Sequence, residues 1–367
     1  MCVNTPLPKV CIIVLNWNGW RDTIECLESV QQLDYPNYLT VVVDNGSDDD
    51  SLERIQAWAE GKKTVESRYV NYCQHTKPVT VISYNTIAVE TSDGSQLDQV
   101  LKSLPTSKMI VLIRSGENLG FARGCNVGIR YAMDVNTDYI WLLNNDTVVE
   151  PGSLKRLVNF MQCQPDFQGV TGQIRLYHRP SAIWNCGGLL TWYGARRYDY
   201  AGAPVVDVPQ WGFKRISFIT GCAALFRTAI FGKVGLLSER FFFGEEDFEL
   251  SQRLKRMGYK LACCYEAVIY HKVSASMPED TRIGRTFIYY LNRFIDLRQY
   301  WPEPVWYVWR LVYMLYILPM LRLRYKFSLR TLWLLCRALL RDSLDLDRVD
   351  RDTFEYALKF RFNQEPG

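Results

Sequence analysis

Up to Gly61, short apolar runs alternate with amphipathic stretches. Val10–Asn16 is an apolar run of strand length, and Arg21–Leu33 places apolar residues at the spacing of one helix face. A second apolar run, Leu39–Val43, precedes another amphipathic stretch that ends at Gly61. This pattern predicts the order β-α-β-α, which is typical of a doubly wound, mostly parallel sheet flanked by helices.

The alternation breaks between residues 62 and 108. Two short β-like runs, Val79–Ser83 and Thr86–Val89, are separated by polar residues in this stretch. We interpret the stretch as an insertion that contains a β-hairpin.

The β/α pattern returns after residue 108. Met109–Arg114 and Tyr139–Leu143 are predicted strands on either side of a predicted helix, Gly120–Met133. Further along, the pattern predicts a helix over Glu246–Met257 and a last strand over Leu261–Tyr270. We therefore expect one α/β domain over residues 1–276.

The composition changes beyond about residue 278, and we predict a C-terminal helical region over residues 277–367. Leu297–Arg330 contains six basic residues and the single acid Glu303. Its uninterrupted apolar core, Leu311–Met320, is far shorter than the roughly 20 residues that span a bilayer. Two interpretations stay open: a helical subdomain that packs on the α/β domain, or a segment that lies on a membrane surface.

Composition and charge narrow the class of protein. With 48% hydrophobic and 22% charged residues over 367 positions, the chain is globular rather than disordered. Its net charge of +4 gives no argument for a nucleic-acid partner, and we expect none. The eleven cysteines include no Cys-x-x-Cys pair, and Met1–Lys9 has no apolar core of signal-peptide length. We therefore expect a cytoplasmic protein with free thiols.

Polar clusters follow two of the predicted strands. Asp44-Asn45-Gly46-Ser47 ends the second strand, and Asn144-Asn145-Asp146 follows Tyr139–Leu143. In open α/β sheets, ligands bind at the carboxyl ends of the strands. Carboxylate and amide oxygens suit a hard divalent cation that also binds substrate phosphates, which makes Asp146 a candidate metal ligand. An Asn-Asp turn that holds no ligand explains the same tripeptide.

Three acids, Glu245, Glu246 and Asp247, follow the aromatic run Phe241–Phe243 at a predicted helix start. An apolar wall raises the pKa of a carboxyl group, as suits a general base, whereas a helix N-terminus lowers it. The sequence leaves open which effect is larger. Capping of the helix by Glu245 or Glu246 is the alternative role.

A late histidine and a glycine-bearing loop complete the candidate residues. His271 is one of three histidines and follows the last predicted strand. An imidazole is a normal ligand for manganese and an unusual one for magnesium. Residues 117–126 lead from a loop into a helix, where backbone N–H groups and Arg123 can bind phosphate. The glycine spacing there differs from the dinucleotide fingerprint, which argues against a dehydrogenase.

Taken together, these motifs resemble the GT-A-fold inverting glycosyltransferases, glycosyltransferase family 2, and within them the rhamnosyltransferase-like branch that builds bacterial surface polysaccharides. The resemblance runs from Val10 to about Ser276, outside the stretch 62–108. It implies an α/β GT-A (Rossmann-like) fold, mostly parallel, with the C-terminal helical extension added. The family usually shows Asp-x-Asp where this chain has Asn144-Asn145-Asp146, so Asp146 is the sole carboxylate of that motif.

The resemblance also implies roles for individual residues. Asp247 would be the catalytic base that takes the proton from the acceptor hydroxyl, with Glu246 beside it on the acceptor side. Asp146 and His271 would hold a divalent cation, Mg²⁺ or Mn²⁺. Trp184, Gly187 and Gly188 resemble the loop that lines the acceptor side. The nucleotide-sugar contacts implied are Asn16, Asn18, Asp44, Asn118, Gly120, Arg123, Asn126 and Asn145.

The implied activity is metal-dependent transfer of a rhamnose-like sugar or hexose, with inversion, from a UDP- or dTDP-sugar. The acceptor would be a saccharide or polyprenyl-linked saccharide, with peripheral contact at the inner face of the plasma membrane. The sequence leaves the oligomeric state open, a homo-oligomer included.

Two other functions remain as alternatives. A catalytically silent nucleotide-sugar-binding or scaffold protein on the same fold is motivated by Asn144 in place of an acid. A nucleotidyltransferase is disfavoured, because Asn16-Trp17-Asn18-Gly19 is not a glycine-rich, basic loop after the first strand.

Overall fold

The computed structural model describes residues 7–86, 106–273 and 281–359. The chain divides into two compact units. The first consists of Met1–Leu237 and Leu250–Ala275, and the second of Ser238–Glu249 and Ser276–Gly367. The second unit therefore includes residues 238–249, which come before the predicted domain boundary at residue 276. A single boundary does not separate the two units.

The elements of the first unit follow a β/α order. Its strands are β1 Val10–Asn16, β2 Tyr38–Asp44, β3 Thr80–Asn85, β4 Met109–Arg114, β5 Tyr139–Asn144, β6 Thr147–Val149, β7 Phe167–Leu176, β8 Arg179–Asn185, β9 Gly188–Leu190, β10 Arg196–Tyr198, β11 Phe213–Ile216, β12 Ala223–Arg227 and β13 Lys260–His271. Its helices are α1 Trp20–Val30, α2 Ser51–Ala59, α3 Phe121–Asp134, α4 Ser153–Cys163 and α5 Ala229–Val234. Helix α6, Glu246–Arg256, begins in the second unit and ends in the first.

One large sheet organises the first unit. Its strand order is β11-β13-β7-β12-β5-β1-β2-β4-β3, and β6 and β8 pair with β13 and β7. The five strands from β5 to β3 are parallel, whereas β12 is antiparallel to both of its neighbours. Strands β1, β2 and β4 are almost entirely buried, as their continuous apolar sequences require. The predicted mostly parallel α/β sheet with flanking helices is confirmed.

The stretch 62–108 contributes an edge strand to the main sheet. Strand β3, which contains most of the predicted Val79–Ser83 run, pairs in parallel with β4 at the edge of the main sheet. This pairing places the first run in the main sheet, and the predicted hairpin between the two runs stays a prediction. The second run, Thr86–Val89, lies almost wholly outside the described residues.

Two glycines explain how closely helix α3 approaches the sheet. A Cβ atom on Gly124 would lie 2.6 Å from Leu15 Cδ1, and one on Gly128 would lie 2.6 Å from Ile13 Cγ2. Both contacts are closer than carbon atoms tolerate, so larger residues would push α3 away from β1. This glycine spacing therefore serves helix–strand packing.

A buried ion pair fixes the segment between α2 and β3. Lys77 Nζ lies 2.9 Å from Glu28 Oε2, and both side chains are at most 1% exposed. Trp58 Nε1 and the Cys73 backbone N–H also donate to the Glu28 carboxylate. Burial lowers the pKa of Lys77, and the hydrogen bond and charge of Glu28 oppose that shift. One carboxylate thus connects α1, α2 and the segment that leads into β3.

The described part of the second unit contains four helices besides the first turn of α6. They are α7 Arg282–Arg298, α8 Glu303–Tyr325, α9 Leu329–Asp345 and α10 Arg351–Lys359. Their core includes Phe294, Ile317, Leu335 and Leu339, which are fully buried. Ser328 caps α9 by accepting a hydrogen bond from the Thr331 backbone N–H at 3.0 Å.

Helix α8 is longer than its apolar core suggests. It has 23 residues, and it is long and apolar enough to cross a membrane by length and composition alone. One-third of its most apolar window (33%) is buried inside the structure, and core helices of soluble proteins pass the same test. The predicted core Leu311–Met320 is therefore the middle of a longer helix.

The buried ion pair gives the first prediction. Lys77→Met leaves the Glu28 carboxylate buried without its cation, so we expect the free energy of unfolding to fall by about 3 kcal/mol. Urea denaturation measures this change. Adding Glu28→Gln to Lys77→Met should restore part of the loss.

The matched control for this prediction is Lys62→Met. Lys62 is 75% exposed in its pair with Glu60, so its loss should cost less than about 0.5 kcal/mol. Equal stabilities of the Lys77→Met and Lys62→Met variants would show that the buried pair contributes nothing particular.

Candidate active site

Three parallel strands end together at one edge of the sheet. In the β1–β2 register Asn16 pairs with Asp44, and in the β1–β5 register Leu15 pairs with Asn144. The polar residues that follow each apolar strand are therefore neighbours across the strand ends. This edge contains the first group of predicted site residues.

Asn16 and Asp44 form a buried hydrogen-bonded cluster with Ser47. Asn16 Nδ2 donates to Asp44 Oδ1 at 2.8 Å, and Ser47 Oγ donates to the same oxygen at 2.7 Å. Ser47 N donates to Asp44 Oδ2 at 3.3 Å. Asn18, which is exposed, bonds to Asp48 through both its amide oxygen and its amide nitrogen. The two loops after β1 and β2 are thus bound to each other.

Thr23, on helix α1, extends this cluster to the third strand end. Its hydroxyl donates to Asn16 Oδ1 at 2.7 Å and accepts a hydrogen bond from Asn145 Nδ2 at 3.1 Å. Thr23 and Asn16 are both completely buried. A continuous chain of side-chain hydrogen bonds therefore runs from Asn145 through Thr23 and Asn16 to Asp44. Thr23 was not among the predicted site residues, because a threonine inside an amphipathic helix gives no distinguishing signal in the sequence.

The loop before α3 is held by Asn45, the residue after Asp44. Asn45 Nδ2 donates to Asn118 Oδ1 at 3.0 Å and to the Gly120 carbonyl at 3.2 Å. The Leu119 backbone N–H donates to Asn45 Oδ1. Asn118 and Gly120 thus lie beside the Asp44 loop, and Arg123 is exposed in the first turn of α3.

Asn126 forms two hydrogen bonds with the backbone of Leu237. Its amide nitrogen donates to the Leu237 carbonyl at 2.9 Å, and its amide oxygen accepts from the Leu237 backbone N–H at 3.0 Å. The residue is 1% exposed. Asn126 therefore stabilises the loop at Leu237 inside the protein, and its assignment as a nucleotide contact stays a prediction.

Asp146 and His271 meet because of strand pairing. His271, at the end of β13, is in register with Thr147 on β6, and the Lys272 backbone N–H donates to the Asp146 carbonyl. His271 Nε2 lies 3.1 Å from Asp146 Oδ1. His271 Nδ1 and the nearby Asn144 Oδ1 are among the buried polar atoms of the described residues that have no hydrogen-bond partner, and the contact to His271 is the one the structure gives Asp146 Oδ1. Buried polar atoms of this kind are unusual in a structural turn.

This pair fits a divalent cation. Two ligands at right angles on a cation with bonds of about 2.1 Å stand about 3 Å apart, which matches the measured separation. No group of three or more His, Cys, Asp or Glu residues that could hold a metal occurs within residues 7–86, 106–273 and 281–359. The remaining ligands of a cation here would come from substrate oxygens and water, as is usual for Mg²⁺ bound with phosphates.

Lys272, next to His271, is bonded to helix α1. Its ammonium group forms ion pairs with Asp22 and Glu25, and Glu25 also accepts a hydrogen bond from the Tyr177 hydroxyl. Burial lowers the pKa of Lys272, but the hydrogen bonds and charges of the two carboxylates outweigh burial and raise it overall. These contacts fix the backbone of the strand end that presents His271. Only its position after His271 distinguished Lys272 in the sequence.

Trp184 lies against His271, with the ring centroids 4.4 Å apart at 66°. The two glycines assigned with it have another environment. A Cβ atom on Gly187 would lie 2.3 Å from Ile216 Cδ1, and one on Gly188 would lie 2.2 Å from the Arg197 carbonyl oxygen. These two glycines are buried and required by packing, and their assignment to the acceptor side stays a prediction.

The acidic start of α6 belongs to the second unit. Glu246 Oε2 accepts from the backbone N–H groups of Gly244 and Glu245, at 2.7 and 3.0 Å. This is the capping role that the sequence left open for Glu246. Glu245 and Glu246 are buried, whereas Asp247 is partly exposed. Of the three acids, Asp247 is thus the most accessible to a substrate.

Two other proteins are similar to parts of this sequence. The hexosyltransferase Agl10 of low-salt glycan biosynthesis in Haloferax volcanii is 22% identical over 219 residues, 57% of this chain. Hyaluronan synthase 2 of Rattus norvegicus is 25% identical over 161 residues, 42% of this chain. The matches cover 66% of the archaeal protein and 27% of the rat protein.

Two solved structures share the fold. One is GalNAc-T7 with UDP, GalNAc and Mn²⁺, with a TM-score of 0.52, 14% identity, and coverage of 80% of this chain and 48% of that chain. The other is the mannosyltransferase PcManGT from Pyrobaculum calidifontis with GDP-Man and Mn²⁺, with a TM-score of 0.51, 14% identity, and coverage of 96% and 86%. These similarities confirm the GT-A fold class.

Family models identify the chain more directly. The model described as "Glycosyl transferase family 2" matches residues 11–79. The model described as "Glycosyltransferase like family 2" matches residues 63–286, more than half of the chain, and so includes residues 63–108 of the predicted insertion. The chain therefore belongs to glycosyltransferase family 2.

Proposed function

We propose that this protein transfers a sugar from a nucleoside-diphosphate sugar to a hydroxyl of a saccharide or polyprenyl-linked saccharide. The observation that supports this most strongly is the Asp146–His271 pair, with its atoms 3.1 Å apart at the strand ends where Asp44 and Asn16 also lie. Membership of glycosyltransferase family 2 supports the same activity. Structural neighbours that hold UDP or GDP-Man together with Mn²⁺ agree with it.

We assign the cation site to Asp146 and His271, with Mn²⁺ favoured over Mg²⁺ by the imidazole. When bound, the cation neutralises charge on the diphosphate leaving group. Asn144, whose amide oxygen is a buried atom without a hydrogen bond, replaces the first acid of the usual motif. The protein would therefore contribute one carboxylate oxygen and one imidazole nitrogen at this site.

We assign binding of the nucleobase and ribose of the donor to the loops after β1 and β2. Asp44 Oδ1 already accepts two hydrogen bonds, while Oδ2 accepts only the longer one from Ser47. A pyrimidine N–H of uridine or thymidine would therefore bond to Oδ2. Asn18 and Asn118 flank this position, and Arg123 at the N-terminus of α3 would contact phosphate.

We assign the catalytic base to Asp247. It would accept the proton of the acceptor hydroxyl while that oxygen bonds to the anomeric carbon and the bond to the diphosphate oxygen breaks. Attack from the face opposite the leaving group inverts the configuration of the sugar. Glu246 does not compete for this role, because its carboxylate holds the turn at Gly244.

On the acceptor side, Trp184 beside His271 offers an aromatic surface for a rhamnose-like sugar or hexose.

We place the enzyme in surface polysaccharide synthesis at the inner face of the plasma membrane. The first unit and the acidic start of α6 would supply the catalytic residues, and the helical region 277–367 would associate with the membrane.

Nucleotide-sugar binding without transfer is the second candidate function. The unpaired amide oxygen of Asn144 favours it, because the site lacks the second carboxylate of the usual motif. Product formation by the unaltered protein separates the two functions. A protein that binds UDP or dTDP with Mn²⁺ but releases no nucleotide from any donor sugar would be the silent form.

Removal of the Asp247 carboxylate tests its proposed role as the catalytic base. We expect Asp247→Asn to lower kcat by about 10²–10⁴-fold, because a positioned general base contributes that much, with little change in nucleotide affinity. Nucleotide release in the presence of Mn²⁺ and acceptor measures the rate. Asp166→Asn is the matched control, since Asp166 forms a surface ion pair with Lys260. Full activity of Asp247→Asn would refute the assignment.

Removal of the site carboxylate tests the cation site. Asp146→Asn keeps the size of the side chain but removes its charge, so we expect Mn²⁺ affinity in the presence of UDP to fall at least about tenfold. Isothermal titration calorimetry measures the affinity. His271→Ala should weaken Mn²⁺ binding in the same way, and Asp166→Asn should not. Unchanged Mn²⁺ binding in both site variants would place the cation elsewhere.

The Thr23 hydroxyl tests the link between the strand ends. Thr23→Val keeps the shape but leaves Asn16 and Asn145 without a shared partner, so we expect nucleotide affinity to fall about five- to tenfold. Thr23→Ser, which keeps the hydroxyl, should bind nearly as tightly as the unaltered protein. Calorimetry with UDP, with and without Mn²⁺, gives both affinities. If the Ser and Val variants bound equally, the hydroxyl would have no role.

A further inference from the structure

Helix α8 presents an apolar face to the outside of the second unit. The exposed side chains follow one another at spacings of three and four residues, so they lie on a single face of the helix. Leu315 is 75% exposed, more than any large apolar residue of the first four turns. From one end to the other, the members of this face are Val305, Val308, Leu311, Val312, Leu315 and Tyr316.

The opposite face of α8 is bound to the neighbouring helices. Trp306 Nε1 donates to the Phe294 carbonyl of α7 at 2.9 Å. The buried Arg310 donates to the Leu340 carbonyl and to Ser343 Oγ of α9, both at 2.8 Å. Ile317 is fully buried in the same core. One side of α8 therefore packs against α7 and α9, and the other side exposes apolar residues.

Exposed basic residues follow this apolar face in the sequence, at the end of α8 and along α9. Residues 321–341 contain six basic side chains and no acid. Arg322, Arg324 and Lys326 are exposed at the end of α8. Along α9, the exposed positions 330, 337 and 341 are arginines, and Trp333 between them is 59% exposed with the Arg337 guanidinium 5.5 Å from its ring centroid.

We propose that the apolar face of α8 docks on an anionic phospholipid surface, with α8 lying in the plane of the membrane. The apolar residues would enter the boundary between headgroups and acyl chains, and the six basic residues would bind anionic headgroups. Exposed Tyr316 and Trp333 are residue types that concentrate at this boundary. The proposal extends the function above by naming the docking surface, but the docking itself needs neither donor nor acceptor.

Two other occupants fit the surface less well. A spanning helix is permitted by the length and composition of α8, but it would have to leave the core that buries a third of its most apolar window. It would also have to leave Arg310 and its partners on α9. A second copy of the chain would bring two clusters of six basic residues together, and their repulsion opposes such a dimer.

Vesicle flotation with the full-length protein tests this proposal. We expect binding to vesicles of equimolar phosphatidylcholine and phosphatidylglycerol, reversal by high salt, and weak binding to phosphatidylcholine alone. Leu311→Glu with Leu315→Glu should lower the partition coefficient at least about tenfold. Arg337→Gln should lower it about fivefold, since each basic residue contributes separately. These outcomes support docking.

The matched control is Val206→Glu, at a residue of the first unit that is 87% exposed, and it should bind vesicles like the unaltered protein. The circular dichroism of each variant shows whether α8 still folds. If the Leu311→Glu, Leu315→Glu variant does not fold, the salt dependence of vesicle binding by the unaltered protein still tests the proposal.

Three results would overturn the proposal. The first is that the unaltered protein binds neither kind of vesicle. The second is binding that resists both high salt and alkaline carbonate, which would indicate a spanning helix. The third is a dimer, detected by light scattering, that Leu311→Glu with Leu315→Glu dissociates. Because flotation contains no nucleotide sugar, failure here is separate from failure of the proposed sugar transfer.

Discussion

The shared register of three parallel strands is the constraint on which the site depends. Because Asn16 pairs with Asp44 and Leu15 with Asn144, β1, β2 and β5 end at the same edge and deliver their polar residues together. Thr23 then joins these ends through hydrogen bonds to Asn16 and Asn145. A shift of one residue in this pairing would exchange buried and exposed side chains along a whole strand. The apolar strands therefore fix the site geometry as well as the core.

The two halves of this edge differ in how their polar groups are satisfied. Around Asn16 and Asp44, buried side chains bond to one another, which holds the loops in one arrangement before any ligand binds. Around Asp146 and His271, buried atoms of the described structure are left without hydrogen bonds. Leaving buried polar atoms unpaired costs free energy, and a bound cation would repay that cost. In the proposed function, the hydrogen-bonded cluster would bind the nucleotide and the Asp146–His271 pair would bind the cation.

Much of the first unit could be predicted from sequence. Strand β1 has its predicted boundaries, because a continuous apolar run ended by Asn-Trp-Asn-Gly permits few other structures. Strand β3 could not be placed, since its short mixed sequence fits a hairpin and a sheet edge equally well. The tight packing at Gly187 and Gly188 could not be predicted, because a glycine that lines a ligand and one that avoids a packing clash look the same in sequence.

The sequence by itself determined the α/β class, the order of most elements and the identity of Asp146 and His271 as candidate ligands. It did so because apolar periodicity and strand-end residues are local signals. Only the tertiary structure brought His271 beside Asp146 and placed Asn126 against Leu237. It also decided which face of α8 stays exposed. These facts depend on contacts between residues up to more than a hundred positions apart, which no local pattern encodes.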